Sequence, residues 1–438
     1  MEPSGQSDLQ WTALVIRTYQ NIRQETTSRR PCRCGPMAGQ PRVLITAVSW
    51  VALFCTVTTC LAAAASDPSG ATTEAAEALK QEELGVVQAL ARDFPGRVEP
   101  VILMGNVLHR LGRTDEALKL WQQALQRDPK HADVYDKMGW FAMEKGQYEE
   151  AIAHWQKALE IAPDFSGVHS GIARALMGLN QHHEAIAHLE KEIENSPRSS
   201  FDYFLLGQEH LQVEQYEQAK TSYEKAIAID PNLTNAHYGL FTVCVRLRQR
   251  AEAKEHMATF KRLKAKDMET LKDRNEAFDD LIDMRKDAAE TMMLAGQAYQ
   301  AKGALPRAEQ LLRRAAALDP ENAMVHLHCG ALAMQMRRFA PAEQAFRQVV
   351  TLAPNSSRGY SGLAHLYLQA NQKLPEARQL AQKAVTLEPS AFNHYVLSWA
   401  RDRNGDRAGA IVSIRRALEL EPDNPRFRRI AELMEKRN

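Results

Sequence analysis

The sequence predicts an all-α chain: a linear array of antiparallel helix pairs, closed at each end by a capping helix. Two observations predict it. Prolines stand at 95, 129, 163, 197 and 231, each 34 residues after the last, and again at 320, 354, 389 and 422, at intervals of 34, 35 and 33. With 19 prolines in 438 residues, such even spacing is not a product of composition. Each also follows an apolar run of helical period, such as AHWQKALEIAP or TSYEKAIAIDP, where a residue with fixed φ and no amide hydrogen ends a helix.

Composition bounds the function before any element is placed. The chain is 45% hydrophobic and 25% charged, and 55 Lys and Arg nearly balance 54 Asp and Glu, so no field of one sign extends from it and nucleic acid is not an expected partner. Cys32, Cys34, Cys55 and Cys60 lie near the N-terminus and only Cys244 and Cys329 in the body. That is neither a disulfide framework nor a zinc or haem pattern.

Residues 1–42 read as a leader or cytoplasmic tail. Residues 43–65, VLITAVSWVALFCTVTTCLAAAA, carry no charge, and as a helix would span about 34 Å against roughly 30 Å of bilayer hydrocarbon. Arg29, Arg30, Arg33 and Arg42 precede the segment while Asp67 and Glu74 follow, so the positive-inside bias exports what comes after. Two readings stand. The segment is a signal-peptide h-region, with Met37 as the start and cleavage after the alanines before Ser66, or it is a retained anchor.

Residues 71–95 read as the first cap, with Ala76, Leu79, Val87, Leu90 and Phe94 forming one apolar stripe on a polar helix. Repeats follow from Val98, Ala132, Ser166, Ser200 and Thr234, a block over 98–266. Counting from Ala132 as position 1, Tyr135, Met138 and Gly139 fall at 4, 7 and 8; Ala151, Trp155 and Ala158 at 20, 24 and 27; and Pro163 at 32. The repeat from Val98 gives Val101, Met104, Gly105, Ala117, Trp121, Ala124 and Pro129, and that from Ser200 gives Tyr203, Leu206, Gly207, Ala219, Tyr223, Ala226 and Pro231. Small residues at 8, 20 and 27 let paired helices approach, and large ones at 4, 7 and 24 fill the gaps.

These positions resemble those of the tetratricopeptide repeat family, over nearly everything after residue 71. The resemblance implies a right-handed superhelical solenoid in which each pair buries its apolar face only by stacking on its neighbours. Departures are Glu192 at position 27 of the repeat from Ser166, Phe241 at 8 and no proline at 32 in the repeat from Thr234, and Trp399 at 8 of the last.

Between the blocks, residues 267–288 read as an inserted charged helical spacer, extending the fifth repeat's second helix. Met268, Leu271, Phe278 and Ile282 form a heptad-like stripe in which Asn275 fills the missing place. Residues 289–424 hold four repeats, from Ala289, Ala323, Ser357 and Phe392. Residues 425–438 form the second cap, with Phe427, Ile430 and Leu433 on its apolar face.

With every folded segment consumed by repeats, and no phosphate loop, HExxH or GxSxG present, no enzyme, cofactor or metal site is expected. His182 and His183 fall in a predicted turn, His182 and His188 do not share a helical face, and His326, Cys244 and Cys329 read as core. Asn232 and Asn355 satisfy the glycosylation sequon in turns.

Positions 2, 5, 9 and 12 share one face of the first helix, the face that lines the concave groove in the family resembled. Here it carries Asn106, Trp140, Arg174, Gln208 and Thr242 at position 9, with Phe201, Phe204 and Tyr238 beside them. Amides, a guanidinium and aromatics suit an extended peptide. The family's carboxylate clamp for chaperone C-termini is absent, since Ile102 stands at position 5 below Asn106 and no later repeat supplies the basic pair. The expected function is a non-catalytic adaptor or scaffold holding protein partners on the exported side of a membrane; the alternative is an accessory subunit of an envelope secretion, polysaccharide-export or assembly complex.

Overall fold

The computed structural model describes residues 68–277 and 280–436, with side chains over 74–270 and 281–435. Residues 1–67, including the apolar segment 43–65, lie outside it. The described residues form helices only. A first helix, α1 (Pro68–Asp93), precedes five pairs: α2 (Glu99–Arg110) with α3 (Thr114–Arg127), α4 (Ala132–Glu144) with α5 (Tyr148–Ile161), α6 (Val168–Gly178) with α7 (His182–Asn195), α8 (Ser200–Gln212) with α9 (Tyr216–Ile229), and α10 (Thr234–Arg246) with α11 (Arg250–Ala277). Four pairs follow: α12 (Asp280–Ala301) with α13 (Leu305–Leu318), α14 (Ala323–Gln335) with α15 (Phe339–Leu352), α16 (Ser357–Gln369) with α17 (Leu374–Leu387), and α18 (Ala391–Arg403) with α19 (Arg407–Leu420). Helix α20 (Pro425–Lys436) closes the chain.

The expected complementarity of small and large positions is what holds the pairs. A Cβ on Gly139 would lie 2.6 Å from the Trp155 ring, one on Gly105 2.6 Å from Trp121, and one on Gly207 2.7 Å from Tyr223. Alanines at 20 and 27, such as Ala151 and Ala158, are fully buried. The aromatic at 24 also touches the next repeat, because a Cβ on Gly171 would come within 2.8 Å of Trp155 and one on Gly239 within 2.5 Å of Tyr223. Position 6 of the following repeat therefore belongs to the same packing rule.

Position 15, just after the first helix, takes positive φ in all nine repeats. It is Gly112, Gly146, Asn180, Glu214, Arg248, Gly303, Arg337, Asn371 and Gly405, with φ between 54° and 82°. This left-handed step ends the helix and turns the chain into its partner.

That marker corrects the register of the last repeat. Gly405 is fifteenth only if the repeat starts at Ala391, where α18 begins, and one extra residue in the turn before α17 accounts for the shift. Position 8 is then Ser398, fully buried and donating its hydroxyl to the Ala410 carbonyl at 2.8 Å, and Trp399 moves to position 9.

Glu192 has a local reason. A carboxylate replaces the small residue at 27, and it accepts the Gly167 amide at 2.8 Å and the Ser170 amide at 3.4 Å. Helix α6 consequently starts at Val168 rather than Ser166, with Gly167 at φ +83°. Burial raises the Glu192 pKa, and those amides pull against the rise.

The insertion is shared between two helices. Without a proline at position 32, α11 runs on to Ala277, and α12 begins at Asp280, ahead of its repeat. Of the heptad-like stripe, Met268 and Ile282 are exposed, while Leu281 beside it is buried; the side chains of Leu271, Asn275 and Phe278 lie outside the described set.

Helix α1 does more than close one end. Leu79 clusters with Leu281 and Ala288, Thr291 Oγ1 donates to Glu83 at 2.6 Å, Tyr299 donates to Asp93 at 2.6 Å and Lys302 to the Asp93 carbonyl at 2.8 Å. Contacts climb together along both helices, so α1 runs parallel to α12. On its other side Arg110, at the far end of α2, donates to Glu83, and Val86, Val87 and Leu90 share one core with Leu103, Val107, Met292 and Met293. The expected terminal cap is a wedge joining the starts of both blocks. At the other end Phe427 and Ala431 are buried and Ile430 and Met434 half-buried, whereas Leu433 points outward. Among the described residues no helix is long and apolar enough to cross a membrane.

Candidate functional site

The eight groove positions divide by what their side chains touch. Asn106 is taken up by the fold, its Oδ1 accepting the Trp121 indole N–H at 3.1 Å. Phe204 is buried at 9% exposure, behind Phe201 and against Tyr223, so it supports the face without forming it. Thr242 donates to the Tyr238 carbonyl at 3.0 Å, and Gln208 is half-buried.

Four others make a surface. The Arg174 guanidinium lies 4.8 Å over the Trp140 ring, which meets Trp155 edge-on at 5.2 Å. Phe201 and Tyr238 are 47% and 50% exposed, and Tyr238 packs 5.1 Å from Phe260 on the second helix. A cation stacked on an indole and two open rings can hold a peptide backbone and an apolar side chain.

The second block carries the same face, and there it is hollow. A cleft of about 550 Å³ opens over α14, α16 and α18, lined by Leu327, Ala331, Arg358, Ser361, His365 and Phe392 among others. With the corrected register these are positions 2, 5 and 9 of three successive first helices. Its floor reaches Phe346 beside Gly362, where a Cβ would come within 2.6 Å, so small residues at 6 and 9 make the space. His365 meets Phe392 at 5.9 Å and Trp399 at 5.7 Å, both edge-on, and burial, then Arg426, lowers its pKa, which keeps the ring neutral. Arg358 donates to Met324 Sδ at 3.1 Å and has no carboxylate partner among the described residues. The opposing charge, Glu388, accepts from Ser357 at 2.5 Å.

The histidines differ from expectation. His182 lies in the first turn of α7, its Nδ1 2.9 Å from buried Glu209. His169 and His188 face one another with Nδ1 atoms 2.9 Å apart, a pairing between two helices that spacing within one helix does not express. His326 is half-buried rather than core, and its Nε2–H donates to the Pro320 carbonyl at 2.8 Å. Cys244 is buried and Cys329 half-buried, both free; burial pushes the Cys329 thiol up to about 11, which leaves it unreactive. No group of three metal-ligating side chains occurs among the described residues.

Family descriptions reading "Tetratricopeptide repeat" match residues 100–164, 142–199, 203–233, and 275–323 with 330–392. No curated protein matches the chain. Similar solved structures include MamA from Desulfovibrio magneticus RS-1, 22% identical, covering 39% of this chain and 96% of that one, TM-score 0.37. Another is the Cut9–Hcn1 hetero-tetramer of APC/C, 15% identical, covering 81% of this chain and 66% of that one, TM-score 0.33. A third is YrrB, described as a TPR protein with an unusual peptide-binding site, 16% identical, covering 57% of this chain and 98% of that one, TM-score 0.28.

Proposed function

The chain belongs to the tetratricopeptide repeat family, and from that premise we propose that it is a non-catalytic scaffold that binds extended peptide segments of protein partners along its first helices. The cleft over α14, α16 and α18 carries this reading. It is apolar at its floor, sized for a large side chain, and rimmed by an arginine that has no carboxylate partner among the described residues, features that suit a peptide bearing an apolar residue near an acidic one. The Trp140–Arg174 stack and the open rings of Phe201 and Tyr238 offer a second stretch of the same kind in the first block.

We place this activity on the exported side of a membrane. The support is the uncharged run 43–65 with four arginines before it, acting as a cleaved leader or as an anchor.

The test is recovery of partners on the full chain, purified from membranes, with two altered forms beside it. Arg358→Glu with Phe392→Ala empties the second-block site, and Arg174→Glu with Trp140→Ala empties the first. Each pair is expected to release a subset of partners while circular dichroism stays unchanged. The scaffold reading fails if both altered forms retain every partner, and the non-catalytic reading fails if the purified array turns over a substrate.

A further inference from the structure

Two histidine pairs recur 68 residues apart, His169 with His188 and His237 with His256. In each, one ring stands at position 4 of its repeat, on the first helix, and the other at position 23, on the second. Their Nδ1 atoms face at 2.9 Å and 3.3 Å. Two nitrogens bound to one divalent ion at about 2.0–2.1 Å lie about 2.9 Å apart at a right angle and about 3.3 Å apart at the tetrahedral angle. Both separations therefore match an edge of a coordination shell.

The second pair has two further features. His237 sets its Nε2 3.3 Å from the Pro231 carbonyl, so that nitrogen carries the hydrogen and Nδ1 turns its lone pair toward His256. An outer hydrogen bond of this kind fixes the tautomer of metal-binding histidines. It is not by itself a metal signature, because His326 and Tyr360 reach the preceding proline carbonyl from the same position; what the fifth repeat adds is the second ring. The surrounding charge also differs between the pairs. Lys191 acts on His169 and His188, which opposes a second cation. His256 lies in the field of Glu224, Glu252 and Glu255, with Lys220 bonded to Glu252 and offsetting one of those charges.

We propose that His237 and His256 chelate one borderline divalent transition-metal ion, of the Cu²⁺, Ni²⁺ or Zn²⁺ class, and so pin α10 to α11 at the root of the long helix. Imidazole nitrogens suit these ions, and water completes the shell. The His169–His188 pair, of like geometry but beside a lysine, is the internal control.

The probe is Ni²⁺ added to the full chain, its accessible cysteines alkylated, with uptake followed by calorimetry and by melting temperature. Wild type and His188→Ala are expected to bind an equivalent of Ni²⁺ and to melt higher in its presence. His256→Ala is expected to lose both that equivalent and the rise. Wild type loaded with one equivalent of Cu²⁺ should show electron paramagnetic splitting from two equatorial nitrogens, a readout that needs no variant. The proposal is overturned if His256→Ala keeps the equivalent and the rise, if the equivalent is lost with His188 instead, or if the Cu²⁺ spectrum shows no nitrogen ligation.

Discussion

Trp155 is shared by two repeats, with Gly139 against one side and Gly171 against the other. It is fully buried, so an added methyl has nowhere to move it. Gly171→Ala should therefore destabilise the chain by about 1–3 kcal/mol through overpacking, even though alanine is the better helix former; urea unfolding of the variant checks this. His188 gives a prediction in pH. Burial, then His169 and Lys191, hold its pKa down to about 4 from an ordinary 6.5. Between those values the unfolded chain takes up a proton that the folded chain refuses, so stability is full above about 6.5 and falls as pH drops toward about 4. Melting curves at both ends of that window should show a smaller loss for His188→Asn than for wild type. Much at this scale was legible in the sequence, since glycine at 8 and an aromatic at 24 announce their own fit. The His169–His188 contact was not, because it joins two helices through a geometry that sequence spacing does not express.

Among the elements, α11 and α12 explain why the array is interrupted. The starts of both blocks meet at α1, so the chain must return from the fifth repeat to the first before it can begin the sixth. The extended helices α11 and α12 make that return. Deleting residues 267–288 should leave the remaining pairs helical but free α12 from α1, seen as a larger radius of gyration in solution scattering with little further loss of helical signal. Full retention of compactness would contradict this. Pro231 and Pro320 stand 89 residues apart, 21 more than two intervals of 34, so the proline metre marks an insertion. It could not show the insertion's purpose, which follows from a contact between Glu83 and Thr291, 208 residues apart. The last repeat misled by one residue for a related reason: the extra turn residue sits in its predecessor, and only backbone φ at Asn371 and Gly405 fixes the frame.

For the molecule as a whole, the joint at α1 is the point of greatest consequence. Glu83 is 5% exposed, held by Arg110 and Thr291, with Asp287 3.7 Å from the same guanidinium. Arg110→Ala would strand a buried carboxylate, at about 1–3 kcal/mol. Its unfolding should lose cooperativity as the two blocks begin to separate, and coincident transitions by two probes would count against that. The apolar stripe of α1 was readable, but its second partner was not, since a stripe names a buried face and not what buries it.

Because α1 packs between α2 and α12, it lies at the waist of the described array and not at a tip. The two blocks then extend as arms from one fixed hub. On the scaffold reading this makes the protein bivalent: a partner seated in one arm presents itself to a partner in the other at a separation set by α1, and their meeting becomes an intramolecular event governed by effective concentration instead of bulk abundance.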